Sequence, residues 1–166
     1  IKFDCVRPDP VRRLAALVNT DQQGAADITA ALKLSNAEQQ RLTAMIAPDW
    51  DADWQISDND LQTALYRLGA ATVIDLALLK WAEMLVASPT GLGEVQDSWV
   101  RIIEAADQIL SGDKINFPLK GQDVLDQGVA PGPLVSELLG QVEDWWLAEG
   151  CTADREACLE KLEALL

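Results

Sequence analysis

The chain has 166 residues, 49% of them hydrophobic, with 13 Lys plus Arg against 27 Asp plus Glu, no histidine and a formal net charge of -14. That length carries one or two compact units, and the apolar fraction excludes a disordered, purely solvating polymer. Without histidine there is no Ser-His-Asp or Cys-His nucleophile system, no histidine metal site and no imidazole acid/base chemistry, and the acidic balance argues against a broad nonspecific grip on nucleic acid or anionic lipid.

The elements are helical in chain order. Asp9-Pro10 is an N-cap with proline at the first helical position, leading into Val11, Leu14, Leu17 and Val18. Ala25 to Leu34 carries Ile28 and Leu32 one turn apart and predicts a shorter second helix. Ser35-Asn36-Ala37-Glu38 reads as a capping box ahead of Leu42, Met45 and Ile46. Ser57 with Asp60 starts a fourth helix that Gly69 ends. From about Ala70 follows a helix apolar all round, expected at the centre of a bundle. Val95, Trp99, Ile102, Ile103, Ala106, Ile109 and Leu110 form a stripe that stops at Gly112.

A short helix is expected from Gly121 to Gln127. After Pro131-Gly132-Pro133 a stripe runs from Leu134 to Trp146, and Thr152 caps a last helix with Ala157, Leu159, Leu162 and Leu166. No window alternates apolar and polar residues between turns, so the expectation is all-α. The architecture expected is an irregular helical bundle, the body (1–112), with a small docked C-terminal helical subdomain, the tail (113–166). The boundary falls at Ser111-Gly112-Asp113, ahead of a Phe117-Pro118 loop.

Cys5, Cys151 and Cys158 are too few and too scattered for a disulfide scaffold or a four-cysteine zinc site; they read as structural thiols in a reducing cytoplasm. The most hydrophobic window, Val73 to Val86, is interrupted by Asp75, Lys80 and Glu83, which makes it a core helix and not a membrane span. The chain opens Ile-Lys-Phe-Asp-Cys with no initiator Met or signal region, as expected of a piece of a longer protein. Charge is uneven: residues 1–46 hold six bases and five acids, 47–113 three and twelve, and 114–166 four and ten. The first helices alone escape the acidic excess.

Asp49-Trp50-Asp51, Asp51-Ala52-Asp53 and Asp58-Asn59-Asp60 have the Asp-x-Asp spacing of two-metal phosphoryl-transfer sites. They lie in a loop and at a helix N-terminus, without strand or phosphate loop, so capping and solubility account for them and no metal site is assigned. Asp9 and Arg12 share one helix face, as in a base-edge reader, but also as in an N-cap followed by exposed arginines. Of the six tryptophans, Trp81, Trp99 and one of Trp145/Trp146 fall on apolar stripes and belong to the core. Trp50 and Trp54, in the acidic loop, read as latches over the bundle.

The stretch Phe117-Pro118-Leu119-Lys120-Gly121-Gln122-Asp123-Val124, then Gly128, Pro131-Gly132-Pro133 and on to Glu143-Asp144-Trp145-Trp146, resembles the C-terminal part of bacterial class II tRNA nucleotidyltransferases, the CCA-adding enzyme and poly(A) polymerase family. Upstream, Asp9-Pro10-Val11-Arg12-Arg13-Leu14-Ala15 and Leu32-Lys33-Leu34-Ser35-Asn36-Ala37-Glu38 resemble the start of that family's helical body. The resemblance implies a non-catalytic body and tail that hold the tRNA acceptor stem and elbow, while an N-terminal head and neck, absent from this sequence, add nucleotides with Mg²⁺ and ATP or CTP. No catalytic residue, metal ligand or cofactor site of the family carries over to this chain, and the partners expected are tRNA and that head.

Charge and helix-end geometry nominate Arg12, Arg13, Lys33, Arg41, Lys114 and Lys120, with the helix entrances at Gly121 and Gly132, as backbone contacts to RNA. The competing expectation is an acidic, all-helical protein–protein interaction module with no RNA role.

Overall fold

A computed structural model describes residues 7–18, 20–87, 93–112 and 114–166. Cys5 and Lys2 lie outside the described residues. Within them there are nine α-helices and no strand: α1 (Pro10–Leu17), α2 (Gln22–Leu32), α3 (Asn36–Ile46), α4 (Asp58–Leu68), α5 (Ala70–Ala87), α6 (Gly93–Ser111), α7 (Gly121–Asp126), α8 (Pro133–Ala148) and α9 (Arg155–Glu163). Among these, no helix is long and apolar enough to cross a membrane.

The chain folds into two compact units. The first takes the described residues up to Ile56 and those from Leu68 through α6; the second takes Ser57–Arg67 and Lys114–Leu166. A division at 112/113 alone therefore leaves out the excursion by which nearly all of α4 joins the C-terminal helices.

In the first unit α5 packs on α6, α2 on α3, and both α1 and α3 reach α5. Local signals start α1, α2 and α3. Asp9 caps α1 by accepting the Arg12 N–H at 2.8 Å. The Ser35–Glu38 capping box starts α3, with Glu38 accepting the Ser35 N–H at 2.9 Å. Asp21, and not Ala25, opens α2, because its carboxylate accepts the Gly24 N–H at 2.9 Å.

The core holds Leu42, Val73, Ala77, Trp99, Ile102 and Ile103. Two expected core positions instead face water: Leu17 and Leu32 sit in the last turns of their helices, where the buried face is carried by Val11 and Ala15 in α1 and by Ala25 and Thr29 in α2. α5 is central only in its first half; Leu85 and Val86 at its end are exposed.

The second unit is organised by Trp146. Its indole N–H donates to the Ala153 carbonyl at 2.9 Å, and its ring meets Tyr66 and Phe117 edge-on at 5.2 and 5.5 Å. Leu119, Val124, Leu138, Val142, Cys158 and Leu162 complete the core. Leu166, expected on that stripe, is exposed beyond the end of α9.

α4 is held to α8 by polar contacts. The Asn59 amide donates to the Ala148 carbonyl at 2.9 Å, and the Tyr66 hydroxyl donates to Glu143 at 2.5 Å. Burial and the bond to Glu143 push the Tyr66 hydroxyl up to about 12. Gly150 stands at φ +69°, a backbone angle that favours glycine, and a Cβ there would displace the Asn59 side-chain amide. Cys151 and Cys158 are free thiols, half-buried and buried, and burial raises both.

Candidate nucleic-acid interface

The nominated cations divide by what surrounds them. Arg12 and Arg13 are neighbours on α1, about 100° apart around the helix, so only one can turn inward. Arg12 does, and its Nε donates to Asp75 Oδ1 at 2.8 Å. Arg41 reaches the same carboxylate from α3, Nε to Oδ2 at 2.6 Å and Nη2 to Oδ1 at 2.9 Å, and its Nη1 donates to Asp9 Oδ2 at 2.9 Å.

Asp75 is only 2% exposed. A lone carboxylate at such a depth costs several kcal/mol, and two guanidiniums, one from α1 and one from α3, neutralise it. Burial pushes the Asp9 carboxyl up, but the Arg12 amide and the Arg41 guanidinium outweigh this and hold it below its ordinary value. The bonds to Asp75, against the opposing effect of burial, raise Arg41. The two arginines are thereby engaged in joining α1, α3 and α5, a structural role that their nomination as RNA contacts did not include. Asp75 was the missed residue. Its only trace in the sequence is one acid in an otherwise apolar half-helix.

Arg13, Lys33, Lys114 and Lys120 are exposed, and their side chains carry no ion pair or hydrogen bond among the described residues. Lys33 closes α2 in the left-handed region, at φ +54°, where its charge also complements the helix C-terminus. Elsewhere cations are taken up. Arg67 meets Asp144 at 3.5 Å, Lys80 lies 3.6 Å from both Asp51 and Glu83, and Lys161 stands 5.9 Å from the centre of the Trp145 ring.

The two helix entrances also differ. At Gly121 the six-residue α7 supplies its own anion: Asp123, 8% exposed, accepts the Lys120 N–H at 2.6 Å. Arg155 clamps that carboxylate through both terminal nitrogens and donates to the Pro118 carbonyl at 3.0 Å. The Arg155 guanidinium first and the Lys120 amide second hold the Asp123 carboxyl below its usual range. The entrance at Gly121 thus already holds a carboxylate of its own, which competes with a phosphate for the same N–H.

At Gly132 no side chain caps α8, the backbone is extended, and nothing lies within 4 Å of where a Cβ would stand. Sequence reasoning did not single out Arg155, whose partner lies 32 residues away.

Two of the Asp-x-Asp acids serve locally. Asp53 accepts the Gln55 N–H at 3.0 Å, and Asp60 accepts the Ser57 hydroxyl at 2.6 Å while Ser57 caps the start of α4. Among the described residues no three acids or cysteines gather in an arrangement that fits a metal ion such as Mg²⁺. Comparison with family models, with curated proteins and with solved structures gives no match to this chain.

Proposed function

We propose that this chain is the non-catalytic, tRNA-binding body and tail of a CCA-adding or poly(A)-polymerase-like nucleotidyltransferase, which holds the acceptor stem and elbow for a catalytic head lying N-terminal to it. The observation that carries the reading is the set Arg13, Lys33, Lys114 and Lys120: four exposed cations without ion pairs, two in each unit, in a protein whose other cations are largely engaged. An exposed cation without a close ion pair suits a phosphate, and a few such points hold a duplex by its backbone without reading sequence. The uncapped, uncrowded start of α8 at Gly132 adds a place where a backbone can approach closely.

The test is tRNA binding by filter retention across a salt series, with Arg13, Lys33, Lys114 and Lys120 each changed to Glu and then all four together. Each single reversal is expected to weaken binding and to lower the salt slope by about one unit. The fourfold variant is expected to lose binding. Mg²⁺ with ATP or CTP is expected to give no nucleotide addition by this chain alone. If tRNA is not retained even at low salt, or the fourfold variant binds like the parent, the RNA reading fails and the acidic protein-docking module takes its place.

A further inference from the structure

The first unit contains a cavity of about 430 Å³ that none of the RNA argument uses. It lies between the end of α1, the end of α3, the Pro48–Ala52 loop and the middle of α5. Its volume falls within the roughly 300–1,000 Å³ typical of small-molecule sites. Ala15, Met45, Ala52 and Leu76 form a buried apolar part of its wall, with the half-buried Trp50 indole alongside, while most of the surface that the cavity presents is polar.

The outer rim is charged. Lys80 Nζ stands 3.6 Å from Asp51 Oδ1 and 3.6 Å from Glu83 Oε2, and both acids are exposed. A charge-assisted hydrogen bond closes to about 2.7–2.9 Å. The single ammonium therefore straddles two carboxylates and makes a hydrogen bond to neither, which leaves the rim with one negative charge in excess.

We propose that this cavity binds a small organic cation, an apolar or aromatic body bearing one ammonium or guanidinium group. The body packs against Trp50 and the apolar part of the wall, and the cationic end completes the rim so that each carboxylate has a cation of its own. A neutral ligand of the same shape satisfies the interior and leaves the rim as it is. An anionic one meets the excess charge of Asp51 and Glu83. An indole face beside a cation adds attraction of the same sign.

The experiment is calorimetric titration of the full chain with 2-phenylethylammonium, 2-phenylethanol and 3-phenylpropanoate. The amine is expected to bind saturably, the anion roughly tenfold more weakly. Asp51→Asn and Glu83→Gln, exposed changes that leave the fold intact, are each expected to weaken the amine about threefold. Ala16→Phe, at an exposed position lining the cavity, is expected to abolish binding with the helical circular dichroism unchanged. The proposal is overturned if millimolar amine gives no saturable heat, if the anion binds as well as the amine, or if both acid variants bind like the parent. Since the cavity residues are not those proposed to hold RNA, tRNA retention is expected to survive all three substitutions.

Discussion

Asp75 and Asp123 are both buried aspartates held by arginine, one in each unit, but their surroundings differ. Asp75 sits within α5, where the neighbouring amides belong to the helix ladder, and its partners are the guanidiniums of Arg12 and Arg41, 63 and 34 residues away. Asp123 sits in the first turn of α7, where orphan amides point outward, and it takes one from Lys120 only three residues away before Arg155 adds its fork. A mid-helix carboxylate depends wholly on distant side chains. One at a helix start carries its own local partner and uses the distant one as reinforcement.

That difference predicts unequal losses. Arg41→Met strips Asp75 of one of its two neutralising partners and frees Asp9 as well. A cost of about 3 kcal/mol is expected, read as a drop in the urea midpoint and as faster amide exchange in α1, α3 and α5. Replacing the set together, Arg12→Met, Arg41→Met and Asp75→Leu, is expected to recover most of it, because an apolar trio needs no neutralisation. A single substitution costing under about 1 kcal/mol would show that water reaches Asp75 and would erase the contrast.

Arg155→Ala is expected to cost less than Arg41→Met, since its guanidinium is half exposed and the Lys120 amide stays in place. Its signature is pH. The Asp123 carboxyl is held below its ordinary 3.8, so the unfolded chain takes up this proton at higher pH than the folded one. The contribution is complete above the unfolded value and lost as pH falls through the folded one. Removing Arg155 therefore flattens the loss of stability that sets in as pH falls toward and below the ordinary 3.8. An acid limb unchanged in Arg155→Ala would mean that the amide alone sets this carboxyl.

The same contrast explains what could be read from the sequence. Helix order and most helix starts were legible because their causes lie within three or four residues: Asp9-Pro10, the Ser35–Glu38 box, Ser57 with Asp60, and Gly132-Pro133. The arginine assignments were not legible, because whether Arg12 or Arg13 turns inward is decided by Asp75, in another helix. Exposure of Arg13, Lys33, Lys114 and Lys120 followed from composition, but their lack of partners is a property of the folded surface. Leu17 and Leu32 failed as core because a stripe read to the last turn of a helix runs past the neighbour that would cover it.

The smallest effect concerns the start of α9, where two capping residues stand two positions apart. The sequence favours Thr152, but Asp154 is the cap: its carboxylate accepts the Ala157 N–H at 3.0 Å. The Thr152 hydroxyl turns back and donates to the Glu149 carbonyl at 2.8 Å, so it closes α8 instead. Asp154→Ala is expected to cost about 1 kcal/mol and to expose the Ala157 amide to exchange, whereas Thr152→Ala costs about half of that and leaves this amide protected. The loss stays at the helix end because the bond from the Trp146 indole to the Ala153 carbonyl fixes the intervening chain independently of either side chain. If Thr152→Ala released the Ala157 amide and Asp154→Ala did not, the helix would begin where the sequence pattern put it, and the local rule would have won over the geometry of the second unit.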